Sequence, residues 1–516
     1  MNSRDEADGV EISDTPSLLA RFGRAVRRGI DRAREPLDAD LALQASMAAL
    51  VEVAASRYAL DPGAQWSPGE PLRLLFAGYA GSRNTGADVR VEEMIRQVRH
   101  LLGDELADLS ILTIDPERTG SYFRTVKQLH MPQLFPKYVF DVVHQQHGVI
   151  ACEGSMFKSK FANALSTLMV GALGLAAAEN KIAVGYGGEA GAMDPSLEAL
   201  VRRYCRDALI LCRNEESRQV LGRLGVASES GTDTAWTFTP HPPEVAERLL
   251  REAGWDGEAP VVALCPINAF WWPVKPDLAK LAAKQATGAW SASHYKSVYF
   301  HAASPEIDRR QREYVHAIAE GVRAFRSRTD CFVVCVGMEM LDRSACAMLA
   351  ERLGGAPLFV SDEHDMYTMV SLIRRADALV SSRYHACVCS MGGGVPSGGI
   401  TMDERIRNLM IDRGTPELCL SVDDPDLAAQ VSAMLDRLVH DRDALREGID
   451  ATVARNLYRM GQMGQTFVDH LRARHPELPL RPELGRHGDP WEHLPELSPA
   501  LAALVDAHRT TVESEL

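Results

Sequence analysis

The chain has 516 residues, 46% of them hydrophobic and 24% charged, which is too long for one ordinary core and too apolar for a disordered chain. A formal net charge of -14 argues against nucleic acid as a partner, because an acidic chain repels phosphate unless it carries a segregated basic face. Ten cysteines without zinc, thioredoxin or disulfide spacing read as small hydrophobes in a reducing cytoplasm.

The opening segment MNSRDEADGVEISDTPSLL is acidic and has no apolar signal region. RFGRAVRRGIDRAR at 21–34 repeats arginine at helical spacing. It reads either as a solvated helix face or as a peripheral contact with the inner face of a membrane. Residues 1–65 form the expected helical N-terminal extension. From 66 the rhythm changes. The apolar run PLRLLFAGYA (71–80) enters a glycine turn and the helix VEEMIRQVRHLL. ADLSILTID (107–115), HGVIACEGS (147–155), KIAVGYGG (181–188) and DALILCRN (207–214) repeat the pattern. The apolar stretch 162–178 runs into Glu179 and Lys181 and reads as a buried helix, too short to span a membrane. Strands alternating with helices and turning through Gly, Ser or Asn predict a doubly wound parallel sheet over 66–240.

The proline-rich TFTPHPPEV (237–245) breaks the rhythm and marks the expected domain boundary. The pattern then restarts with PVVALCPIN (260–268), CFVVCVGME (331–339), APLFVSD (356–362), DALVSS (377–382) and VPSGGITM (395–402). A second Rossmann-like domain is expected over 241–470, facing the first across a cleft, with an irregular tail over 471–516. Ligands in such sheets bind beyond the carboxyl ends of the strands, so the residues that matter should follow each strand.

The densest chemistry is DALVSSRYHACVCSMGGGVPSGGITMDERIRNLM (377–410). A buried strand ends at Ser381 and Ser382, and Arg383 and His385 open a helix of small residues. A helix N-terminus offers unpaired N–H groups and partial positive charge, and an arginine and a histidine there build an anion site. This stretch resembles the signature of the polysaccharide pyruvyl transferase family. The family commonly places Asp and then Lys at the last helix start, where this chain has Asp403, Glu404 and Arg405.

Three further segments resemble the family in order. FAGYAGSRNTGADVRVEEMI (76–95) matches its opening glycine loop through Gly78, Asn84, Gly86 and Asp88. VIACEGSMF (149–157) matches the second strand and turn, with Glu153-Gly154 in place of the usual glycine pair and Ser155 following. LCRNEESRQVLGRLGV (211–226) matches a strand-Arg-helix element and is followed by Asp233. The resemblance spans roughly residues 72 to 440. It implies a two-domain GT-B-like fold, phosphoenolpyruvate as donor substrate, no separate cofactor and a sugar, glycan or glycolipid acceptor.

Phosphoenolpyruvate is a compact anion that needs a fork-shaped cation for its carboxylate and donors for its phosphate. Arg383 and Arg213 are the expected forks, one per domain, and His385 the phosphate contact or proton donor. Ser382, Arg405, Asn84, Asp88, Glu153 and Ser155 join them as expected substrate-binding residues. Arg213 also reads as an interdomain ion pair, Asn84 and Asp88 as turn and cap residues, and Glu153 as a helix-start carboxylate.

NAFWWPVK (268–275) offers Trp271 and Trp272 for sugar stacking and Lys275 for an anion, with core packing as the other reading. Glu363 follows a strand and suits acceptor hydroxyls, or a solvated loop. His144 and His147 lack neighbouring ligands, so no metal is expected. Two other functions stay open at this point: a GT-B glycosyltransferase using a nucleotide sugar, and a non-catalytic sugar- or phosphate-binding protein.

Overall fold

The structure is a computed structural model that describes residues 38–485 and 487–515. The arginine-rich segment 21–34 lies outside the described residues.

The central strands are apolar on both faces because helices cover both sides of each parallel sheet. The first sheet contains β1 (Leu72–Ala80), β2 (Ala107–Thr113), β3 (Lys127–His130), β4 (Gly148–Ala151), β5 (Ile182–Gly188), β6 (Leu209–Cys212) and β7 (Glu229–Ser230). Their spatial order is β3-β2-β1-β4-β5-β6-β7, all parallel. The chain then runs through a 3-10 turn at Ala235–Thr237 into the helix Pro243–Glu252. That helix is tied to the second domain by Glu247, which accepts from Arg375 at 3.0 Å.

The second sheet contains β8 (Val261–Cys265), β11 (Phe332–Gly337), β12 (Leu358–Val360), β13 (Ala378–Ser381), β14 (Ser397–Thr401) and β15 (Cys419–Ser421). Its order, β12-β11-β8-β13-β14-β15, repeats the first sheet's topology, again all parallel. In each sheet the strand order reverses beside the central strand, at β1/β4 and at β8/β13. Those reversals open the crevices in which doubly wound sheets hold ligands.

The aromatic stretch after β8 is an inserted unit, in which β9 (Lys275–Pro276) and β10 (Tyr299–Phe300) form a two-stranded antiparallel ribbon flanking the helix Leu278–Thr287. The short edge strands β3, β7 and β15 are not foreshadowed by the apolar runs. KQLH at β3 is half-exposed and polar, as edge strands commonly are.

Two extensions depart from a simple two-domain plan. The helix Ala39–Arg57 buries Met47, Val51 and Ala54. Met47 lies over Gly171 of the helix Asn163–Ala178, where a Cβ would fall 2.2 Å from Met47 Cγ. Ala39–Arg57 is also long and apolar enough by composition to cross a membrane. At the other end, the 33-residue helix Arg442–Arg474 returns from the second domain to the first. Its Met463 sulfur accepts from Thr232 N–H at 3.0 Å, and Phe467 packs edge-on against Tyr186. The expected division at 470 therefore falls inside one helix. The tail is irregular only in part, since Pro490–His493 is a 3-10 turn and Pro499–Glu515 a helix. All ten cysteines are free thiols, nine of them buried.

Candidate functional site

Strand ends from both sheets converge on two adjoining cavities. The smaller, about 50 Å³, is lined by Asn84, Glu153, Gly154, Ser155 and Arg213 of the first domain. The second domain supplies Ser382, Arg383, Tyr384, His385 and Arg405 to the same cavity. The larger, about 360 Å³, shares Asn84, Glu153, Ser155, Arg383 and Arg405 with it. It extends between Tyr79, Phe161, Trp272, Tyr295 and Tyr299.

The turn after β1 brings the helix Thr85–Leu102 to the interface. Asn84 caps that helix, its side-chain oxygen accepting from Ala87 N–H at 3.2 Å, and Thr85 N–H donates to Met338 of the second domain at 2.9 Å. Gly86 is needed for this approach, because a Cβ there would lie 2.3 Å from His385 Cβ. Asp88 stands one turn further in, wholly buried, and accepts from Gly81 N–H at 2.9 Å. Burial pushes its carboxyl up to about 8. It lines neither cavity, so its expected contact with substrate is corrected to a brace for the glycine turn.

A buried charge network lies beneath the small cavity. Asp233 is fully buried, with His385 Nε2 at 3.2 Å, Arg90 Nε at 3.3 Å and Arg213 Nη1 at 3.2 Å. Burial opposes its charge, but His385, Arg90 and Arg213 together hold it well below the usual carboxylate range. Arg213 Nη2 pairs with Glu189, and the guanidinium lies over the Tyr384 ring at 4.2 Å. Both terminal nitrogens of Arg213 are thus committed to acids of its own domain. The expected fork for the donor carboxylate is corrected to a positive wall of the cavity.

Arg383 is also engaged. Its Nε donates to Asp342 Oδ2 at 2.9 Å and its Nη2 to Glu339 Oε2 at 2.6 Å. Only Nη1 has no partner among the described residues. Glu339 Oε1 accepts from Tyr79 at 3.0 Å and Tyr295 at 2.6 Å. Arg405 presents the most open fork. Asp403 holds its Nε at 2.9 Å, Phe161 stacks on it at 4.2 Å, and both Nη atoms are unpartnered among the described residues.

Beside it, Lys158 is buried between Glu404 at 2.7 Å and Glu189 at 3.2 Å. Burial, with Arg405 adding to it, pushes the Lys158 amine down to about 8. Ser382 lines the small cavity, with its hydroxyl bonded to Tyr314 at 2.5 Å.

The inserted unit divides its candidates. Trp272 lines the large cavity, edge-on to Phe161, with its N–H bonded to Asn268 O at 3.2 Å. Trp271 stacks on His301 at 4.0 Å and lines neither cavity, so it is a packing residue. Lys275 is exposed on the ribbon and lines neither cavity. Glu363 is exposed and paired with Arg343 at 2.7 Å, away from both. These three expectations are corrected: following a strand or sharing an insertion places a residue near the cleft without turning it inward.

Lys158, Glu189, Glu339 and Asp342 were missed. Glu189 follows β5 directly and Glu339 stands two residues beyond β11, so the strand-end rule could have found them. Lys158 sits in irregular chain seven residues after β4 and carries no such signal.

The fold and site define a two-domain α/β protein of GT-B-like architecture with a cationic cleft. The polysaccharide pyruvyl transferase family model, a family of transferases, matches residues 183–404, the same family that the motifs resemble. The matched span contains Arg213, Asp233, Arg383 and His385 and ends at Glu404. Comparison with curated proteins finds no match.

Among solved structures, the chain is similar to UDP-GlcNAc 2-epimerase from Neisseria meningitidis bound to UDP-GlcNAc. The identity is 8% and the TM-score 0.47, covering 78% of this chain and 100% of that one. It is also similar to the UDP-GlcNAc 2-epimerase from Methanocaldococcus jannaschii (9% identity, TM-score 0.45, 72% and 93% covered). A third is an alpha,alpha-trehalose-phosphate synthase (UDP-forming) from Burkholderia vietnamiensis (10% identity, TM-score 0.43, 78% and 99% covered).

Proposed function

We propose that the protein transfers the pyruvyl group of phosphoenolpyruvate to two hydroxyls of a sugar, forming a ketal and releasing phosphate. The observation that carries this reading is the convergence of Arg213, Arg383, His385 and Arg405 on one small cavity, in a chain whose net charge is -14. A compact trianion needs such a local cationic focus. The helix Tyr384–Met391 begins at this point and adds its N–H groups and dipole.

The unpartnered Nη atoms of Arg405 and Arg383 Nη1 suit carboxylate and phosphate oxygens. His385, held by Asp233, suits the departing phosphate. The larger cavity, with aromatic rings and Glu339, suits a sugar acceptor stacked against Trp272. We place the reaction in the cytoplasm, in keeping with ten unpaired thiols.

The test is phosphate release from phosphoenolpyruvate with a panel of glycosides bearing free diols, together with mass spectrometry of the products for a pyruvyl increment. Thermal stabilisation by phosphoenolpyruvate but not by UDP-sugars is expected. Stabilisation by UDP-sugars alone would replace this reading with nucleotide-sugar chemistry.

A further inference from the structure

Glu153 occupies the wall common to both cavities. Among the described residues it is the only acid lining the small cavity. In the large one its acidic companions are Asp115 and Glu339. Both of those are committed: Asp115 to Arg118, and Glu339 to Tyr79, Tyr295 and Arg383. Glu153 differs. Its Oε1 accepts from Ser155 N–H at 3.4 Å, while its Oε2 is buried and has no hydrogen-bond partner among the described residues. Burying a polar oxygen unpaired is costly, so this atom has the character of a group kept for a ligand's proton.

Its backbone is fixed. Gly78 of β1 packs so closely that a Cβ there would lie 3.3 Å from Glu153 N and Cβ and 2.8 Å from Cys152 Sγ. The carboxylate is therefore held where the donor and acceptor cavities meet. No cation among the described residues pairs with it, although Arg213, Arg383 and Arg405 line the small cavity.

We propose, on the pyruvyl-transfer reading above, that Glu153 is the proton-transferring catalytic residue of the addition step. It takes the proton of the first acceptor hydroxyl and delivers it to the methylene carbon of phosphoenolpyruvate. The hydroxyl oxygen bonds to the enol carbon as the carbon–carbon π bond gives its electron pair to the methylene, which becomes a methyl group. Glu153 leaves this step unprotonated. The second hydroxyl then bonds to the same carbon while the carbon–oxygen bond to phosphate breaks, its electron pair leaving with phosphate. Phosphate carries away the second hydroxyl's proton. Two carbon–oxygen bonds thus replace the π bond and the ester bond, and two hydroxyl protons end on the methyl carbon and on phosphate.

Glu153→Gln keeps the shape and removes the base. It should lower kcat for phosphate release by about 10²–10⁴-fold, the usual share of general acid–base catalysis. Thermal stabilisation by phosphoenolpyruvate should remain at or above the wild-type level, which also shows that the variant folds. Glu153→Ala should regain activity with added formate, a small carboxylate that fits the vacated space. A structural residue would not respond in this way. Near-normal kcat in Glu153→Gln, or no recovery of Glu153→Ala with formate, overturns the assignment while leaving pyruvyl transfer intact. Absence of phosphate release from the wild-type enzyme across the diol panel overturns the transfer reading and this assignment with it.

Discussion

Asp88 and Arg405 show how burial decides the role of a single residue. Asp88 follows the first glycine turn, where a substrate contact was expected, yet it is fully buried and bonded to Gly81 N–H. Its folded carboxyl titrates near 8, far above its ordinary value of 3.8. The native state therefore binds the extra proton between those values, and stability falls as pH rises through that window. Asp88→Asn keeps an oxygen for Gly81 and removes the titration. Thermal melts should show the wild type losing stability between pH 6 and 8, by up to about 2–3 kcal/mol. The variant should lack that loss, and equal pH profiles would show that Asp88 is charged in the fold.

Arg405 is the opposite case, a residue whose fork stays open. Arg405→Ala should raise the KM for phosphoenolpyruvate by about 10–100-fold, the equivalent of one charged hydrogen-bonded contact. Arg405→Lys should recover only part of this, because an ammonium neither forks nor stacks on Phe161 as a guanidinium does.

At the scale of elements, the site depends on how closely the helix Thr85–Leu102 meets the helix Tyr384–Met391. Gly86 makes the contact, and no side chain fits there without displacing His385. Gly86→Ala should cost about 1–3 kcal/mol of stability in a urea titration, as overpacking does. It should also lower phosphate release, because His385 is pushed from Asp233. The inserted unit teaches a related lesson. Trp271 and Trp272 are adjacent and alike in sequence, yet one stacks on His301 and the other lines the cavity. Their burial is shared, and only the direction of each side chain separates packing from acceptor contact.

Across the whole molecule, the two domains are joined by charge as well as by chain. Lys158 of the first domain meets Glu404 of the second at 2.7 Å, and Asp233 of the first meets His385 of the second at 3.2 Å. The helix Arg442–Arg474 adds a long strap back onto the first domain. Lys158→Met would leave Glu404 without its cation and Glu189 with Arg213 alone. Removing one partner of such a buried pair costs about 3–5 kcal/mol. Differential scanning calorimetry should show a lowered Tm for the variant. An unchanged Tm would mean that Lys158 contributes little to holding the domains together.

The repeated apolar runs with small residues at their ends were enough to read two doubly wound domains, because a parallel sheet covered on both faces demands continuous hydrophobic strands. The same runs located Arg213, Ser382, Arg383 and His385, since ligands in such sheets lie beyond the strand ends. The edge strands β3, β7 and β15 escaped because a strand paired on one side alone can be short and polar. The commitment of each charge was decided only in three dimensions. Arg383 reads as a free fork, and Arg213 as a fork or an ion pair, until Glu339 and Asp342, and Glu189 and Asp233, are folded against them. Glu153 reads either as a substrate contact or as a helix-start carboxylate until both cavities are seen to share it. Spacing along the chain sets which residues reach the cleft, whereas pairing across it sets which of them keep an atom free for a ligand.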